Sequence, residues 1–211
     1  ADDILGLKCY PSVRDVPGKV DLAVIVVPAK LVLEVMKDCG AKGVRAAIII
    51  TAGFKESGRE GAALERELLA VAAKHKIRII GPNCLGLINT GESLNASFAQ
   101  GMPQGGNIAF MSQSGAFGTA ILDWAIAEKI GFSKFISVGN KADVDETDLL
   151  EAISGDKDSS VILAYLESIG RGAEFMRVAR EVTRQKPVIV FKSGGTAAGA
   201  KAASSHTGAL A

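Results

Sequence analysis

The sequence predicts an α/β chain made of two parallel-sheet domains. Seven apolar runs of four to seven residues, at 22–27, 46–51, 77–80, 107–111, 132–138, 161–166 and 188–191, read as buried strands. Stretches with helical spacing separate most of them, and strand–helix alternation argues for βαβ units. The composition agrees: 48% of residues are hydrophobic, yet only 5% are aromatic, with Ala, Val, Ile and Gly dominant. That mixture suits parallel strands covered by helices.

The first helix is expected over 29–39, with Leu31, Val35 and Met36 on its apolar face and Gly40 as its stop. The second, over 58–75, ends in Lys74, His75 and Lys76, which complement the negative end of a helix dipole. Further helices are expected over 115–129, 146–153 and 174–185. The connection from 89 to 106 breaks the rhythm with Gly91, Gly101, Pro103, Gly105 and Gly106. A boundary near residue 103 then divides the chain into 1–102 and 103–211. The first part has three strands and reads as a partial Rossmann-like domain without its first βαβ unit. The second, with four strand–helix repeats, reads as flavodoxin-like.

A net charge of +1 offers no electrostatic case for nucleic acid or an anionic membrane as the main partner. The three cysteines have no CxxC spacing, which argues against a disulfide framework or a zinc site and fits a reducing cytoplasm. No apolar run reaches the roughly 20 residues that span a bilayer, and nothing at Ala1 resembles a signal peptide. The chain has no initiator Met and stops in a Gly/Ala/Ser-rich stretch, so it is expected to be a segment of a longer protein.

Five constellations could carry chemistry. In Met111-Ser112-Gln113-Ser114-Gly115-Ala116-Phe117-Gly118, between a strand and a helix, small residues let backbone N–H groups approach an anion. A capped helix start, with Ser114 as N-cap, is the plainer alternative. The lysine of a Walker A loop is absent. Ser204-Ser205-His206-Thr207-Gly208 sets a histidine among small residues, where there is no core for it to fill. His206 is either a nucleophile or a solvated surface side chain. Tyr165-Leu166-Glu167-Ser168 ends a strand in a carboxylate, at the sheet edge where α/β ligands bind. Glu167 either orients an imidazole or begins the next helix.

The segment from Ser137 to Asp145 lacks the glycine and distal Glu of a calcium loop. Gly139 and Asn140 instead offer N–H groups for a small carboxylate, and Asp145 could cap the following helix. Finally, Val27-Pro28, Thr51-Ala52-Gly53-Phe54 and Gly81-Pro82-Asn83-Cys84-Leu85-Gly86 lie at three strand ends of the first domain. Cys84 is either a reactive thiol or a small buried filler.

Taken in order, GPNCLG, MSQSGAFG, SVGNKADVDETDLL, YLES and SSHTGAL resemble the NDP-forming acyl-CoA synthetases. This group includes succinyl-CoA synthetase α subunits and ADP-forming acetyl-CoA synthetases. Leu85 and the GNKADVD segment look like the acetyl-CoA branch. The resemblance implies a CoA-binding domain followed by a succinyl-CoA synthetase-like domain. It also implies His206 as the phosphorylated histidine, with Glu167 hydrogen-bonded to it. Ser114, Gly115 and Ala116 would hold phosphate, and Gly139 and Asn140 would approach the acyl carboxylate. Val27, Pro28, Thr51, Gly53, Asn83 and Cys84 would border CoA. The implied reaction interconverts acyl-CoA, ADP and phosphate with acid, CoA and ATP through an acyl phosphate.

The resemblance also implies a first βαβ unit with a glycine-rich loop for the CoA phosphates, which this segment is expected to lack. ATP, ADP and Mg2+ would sit on an ATP-grasp partner subunit or a further domain, oligomerisation is part of the same resemblance, and this segment alone is expected to be inactive. Acetate or another short-chain acid is the expected substrate. One alternative is the CoA-sensing region of a protein lysine acetyltransferase, which usually lacks the histidine. Another is a general nucleotide- or flavin-binding module, against which the missing GxGxxG fingerprint counts.

Overall fold

The computed structural model describes residues 2–194. A small antiparallel hairpin, β1 (Asp3–Ile4) and β2 (Leu7–Lys8), begins the chain. Next come β3 (Leu22–Ile25), α1 (Ala29–Lys42), β4 (Ala46–Ile49), α2 (Arg59–His75) and β5 (Arg78–Ile80). The strands pair in parallel in the order β3-β4-β5. Both helices pack on one face of this sheet, where Val32, Met36, Cys39, Leu68 and Ala72 join Ile25, Ala47, Ile49 and Ile79 in one core.

The buried stripe of α1 is Val32–Met36–Cys39, one position round from the expected face, and Leu31 is 40% exposed. Gly40 does not stop the helix. It lies inside α1 because a Cβ there would come within 2.2 Å of the His75 ring, while Gly43, at φ +83°, forms the left-handed cap.

The second sheet runs β11-β10-β8-β9-β6-β7. Its parallel part comprises β8 (Gly105–Ser112), β9 (Phe132–Ser137), β10 (Val161–Leu166) and β11 (Val188–Lys192). Helix α3 (Gly115–Ala127) packs through Leu122 and Ala125 onto Phe110, Phe132 and Phe135. On the opposite face, α4 (Glu146–Ser154) and α5 (Gly172–Val182) pack on Ala109, Met111, Ile162 and Ala164. The alternation of Ala109, Phe110 and Met111 between these two cores is the period-two pattern of a strand buried on both faces. β11 departs from the expected buried strand, since Ile189 and Phe191 are 60% and 63% exposed. Within the described residues it is the edge of the sheet.

The stretch read as an irregular connection, 89–106, holds β7 (Leu94–Ser97), which forms an antiparallel pair with β6 (Gly86–Asn89), and β6 adds to β9. The change of sheet falls between Ile80 and Gly86. These strands are only four residues long, too little for periodicity to register. Their inner residues face the first sheet: Leu87, Leu94 and Ala96 pack against Ile48, Ile80 and Cys84.

The loop after β9 fastens the two sheets together. The N–H groups of Asn140, Ala142 and Val144 donate to the carbonyls of Pro82, Gly81 and Ile79 at 2.9, 3.0 and 3.1 Å. Asp143 accepts from the Ile79 N–H at 2.8 Å and from Arg78 Nε at 2.9 Å. Gly139 is required at the nearest approach: its φ is +54°, and a Cβ would sit 2.3 Å from the carbonyl oxygens of both Pro82 and Asn83.

Asp143→Ala strands the N–H of fully buried Ile79. It is expected to lower stability by about 1–3 kcal/mol in denaturant unfolding, with Asp143→Asn recovering most of the loss.

Candidate active site

Parallel register sets three strand ends side by side. Ser112 pairs with Ser137 on one side and with Tyr165 on the other. From β8 the chain crosses through α3 to β9 on one side; from β9 it crosses back through α4 to β10 on the other. Loops diverge at such a reversal, and the crevice they leave is the usual ligand site of an open α/β sheet. A cleft of about 990 Å³ occupies it, lined from the second sheet by Ser114, Gly115, Ala116, Gly139, Asn140, Lys141, Glu167 and Ser168, and from the first by Ile50, Ala52, Asn83 and Cys84.

On one wall is the start of α3. The Ser114 hydroxyl accepts from the Phe117 N–H at 3.2 Å, so Ser114 is the N-cap. The N–H groups of Gly115 and Ala116, at the first helical positions, have no acceptor among the described residues. They face the cleft with the positive end of the helix dipole behind them. Gln113 links this wall to the loop after β10. Its Oε1 accepts from the N–H groups of Glu167 and Ser168, both at 3.0 Å, and its Nε2 donates to Ser168 Oγ at 3.1 Å. Glu167 thus lies beside the α3 start, and Lys192 Nζ donates to its carbonyl at 2.7 Å.

The opposite wall is charged and largely satisfied within the protein. Asn140 donates its amide to Glu56 Oε2 at 2.5 Å and Glu65 Oε2 at 2.8 Å, and its backbone N–H is spent on Pro82. The donors read as available to a substrate carboxylate are therefore engaged at Asn140, whereas the Gly139 N–H has no acceptor among the described residues. Lys55 Nζ donates to the Asn140 carbonyl. Burial raises the Glu56 carboxyl, but the Asn140 amide and the Gly53 and Phe54 N–H groups outweigh it and hold the pKa below its ordinary value. Lys141 and Glu146 form a buried pair at 2.7 Å. Asp145 caps α4 in a capping box and binds Arg171.

Of the residues read as bordering CoA, Asn83 and Cys84 line the cleft, while Val27, Pro28, Thr51 and Gly53 do not. They gather next to it at the end of the first sheet, where Thr51 Oγ1 donates to the Val27 carbonyl at 2.7 Å and a Cβ on Gly53 would touch Ala29. Cys84 is buried, and its thiol donates to the Ile49 carbonyl at 3.4 Å. Burial pushes its pKa up to about 12, which favours the reading of a small buried filler. His206 lies outside the described residues. Among the described residues no helix is long and apolar enough to cross a membrane, and no three His, Cys, Asp or Glu side chains are grouped so as to hold a metal ion.

The charged wall was not singled out from sequence, yet a signal exists. Glu65 shares the buried stripe of α2 with Gly61, Leu68 and Ala72, and Glu146 that of α4 with Leu149, Leu150 and Ile153. A carboxylate in an apolar stripe must be paired, which marks both positions.

A model of the succinyl-CoA ligase-like flavodoxin domain matches residues 105–211, and one of a CoA-binding domain matches residues 1–90. The chain belongs to the succinyl-CoA ligase-like family. It is 55% identical over 209 residues to an ADP-forming acetate–CoA ligase I of Archaeoglobus fulgidus, covering 99% of this chain and 30% of that protein. It is 50% identical over 210 residues to the α subunit of ADP-forming acetate–CoA ligase II of Pyrococcus furiosus, covering 100% of this chain and 46% of that subunit. A solved dinucleotide-forming acetyl-coenzyme A synthetase 1 of Ca. Korarchaeum cryptofilum, in complex with phosphate and ADP, matches with a TM-score of 0.96 at 50% identity, over 100% of this chain and 46% of that one. The chain thus spans less than half the length of these relatives.

Native thiol titration at pH 8 is expected to modify Cys9 first, because Cys39 and Cys84 are buried. A pKa of about 12 leaves roughly one Cys84 in ten thousand as the reactive thiolate. Denaturant is expected to release the other two thiols; rapid native labelling of Cys84 would contradict this burial.

Proposed function

We propose that this chain is the CoA-binding and phosphoryl-carrying part of an ADP-forming acid–CoA ligase acting on acetate or another short-chain acid. The observation that carries the reading is the convergence, in one cleft, of the Gly115 and Ala116 N–H groups, the Glu167 loop and Gly139. Each supplies a different requirement of acyl and phosphoryl transfer. Close similarity to acetate–CoA ligases over the whole chain supports the same chemistry.

In this reading phosphate sits at the start of α3, where two N–H groups and the helix dipole offset its charge without a lysine. Its oxygen attacks the thioester carbonyl of acyl-CoA. The C–S bond breaks, giving acyl phosphate and the CoA thiolate, which takes up a proton. The Gly139 N–H is the donor offered to the acyl oxygen. His206 then attacks the phosphorus and releases the acid. Glu167 holds the proton on one imidazole nitrogen, so that the other carries the lone pair. The phosphoryl group leaves His206 for ADP, bound with Mg2+ on an ATP-grasp subunit or fused domain. The walls mainly position the reactants and place donors before charge develops. Cys84 shapes the CoA edge as a neutral buried side chain.

Incubating the full-length protein and its nucleotide-binding part with γ-labelled ATP and Mg2+ is expected to give an acid-labile phosphate on His206. Label that persists in His206→Ala would overturn the assignment. Glu167→Gln is expected to slow labelling by about 10²-fold with CoA affinity unchanged; an unaltered rate would remove its orienting role.

A further inference from the structure

We infer that the buried Lys141–Glu146 ion pair is a positioning strut for Glu167, tying the loop after β9 to the loop after β10 across the cleft. The inference rests on the phosphohistidine reading above. The two side chains are 8% and 0% exposed and meet at 2.7 Å. Such a pair loses hydration on both partners and is a poor source of net stability compared with well-packed apolar residues.

Its remaining hydrogen bonds show where it is directed. Lys141 Nζ donates to the Ser168 carbonyl at 2.7 Å, and Glu146 Oε1 accepts from the Gly170 N–H at 3.3 Å. Both reach the segment that immediately follows Glu167. From the opposite side Gln113 holds the Glu167 and Ser168 N–H groups. The peptide units on either side of Ser168 are therefore fixed, one through its N–H and the next through its carbonyl.

Lys141 is itself anchored by its neighbours. Its φ is +54°, and it follows Gly139 and Asn140, which are pressed onto the Pro82–Asn83 turn. The geometry of the Glu167 carboxylate is thus coupled to the loop that offers the Gly139 N–H. A methionine at position 141 could fill the same space but has no donor for the Ser168 carbonyl.

The test uses the full-length protein with its nucleotide-binding part, and compares Lys141→Met with the double variant Lys141→Met/Glu146→Gln. Lys141→Leu, which likewise has no donor, replaces Met in both if Met does not fold. Three quantities are measured: the single-turnover rate of His206 phosphorylation, the thermal midpoint, and the KM for CoA. The single variant strands a buried carboxylate and is expected to lose both midpoint and rate. The double variant is expected to recover the midpoint, leave KM for CoA unchanged, and phosphorylate about 10²-fold more slowly than wild type. A double variant that recovers rate and midpoint together would reduce the pair to a structural role and overturn the proposal. So would a single variant with a wild-type rate. Absence of label from His206 in the wild type would overturn the functional reading, and this inference with it.

Discussion

Everything in the cleft depends on the loop after β9 lying against the chain as it leaves β5. Three backbone hydrogen bonds and the Asp143 carboxylate join residues 140–144 to Ile79, Gly81 and Pro82. Without that seam, the two sheets would share mainly the apolar contact between the β6–β7 pair and Ile48. With it, the Asn83–Cys84 edge of one sheet faces the Ser114 and Glu167 edge of the other. The contact leaves no room for a side chain at Gly139.

The seam also explains why so much charge lies near the cleft. Bringing two strand-end surfaces together takes polar groups out of water, and each must then find a partner. Asn140 meets two carboxylates, Lys55 meets the Asn140 carbonyl, and Lys141 meets Glu146 and Ser168. Among the described residues, the groups left without a partner at the α3 start and at Gly139 are donors. Such a surface suits an anionic ligand.

Much of this was legible in the linear order of residues. β10 was placed to the residue, and the other six expected strands within two residues at either end. Ser114, Gly115, Glu167, Asn83 and Cys84 were each read as candidates, and all of them line one cleft. The β6–β7 pair was missed because each strand is four residues long, and its antiparallel addition to β9 is a long-range event. Asn140 was read as a ligand donor because its engagement by Glu56 and Glu65, far away in sequence, leaves no local trace.

The sequence by itself determined the alternation of strand and helix, the capped start of α3, and the family to which the ordered motifs belong. Those features are local: periodicity, capping chemistry and short motifs act over a few residues. Only the tertiary structure decided that the β6–β7 pair crosses to the second sheet, that Cys84 is buried, and that Lys141 and Glu146 brace the loop beyond Glu167. The physical reason is that burial and pairing depend on surfaces meeting, and residues 56, 65, 83 and 140 become neighbours only when the two sheets close on each other.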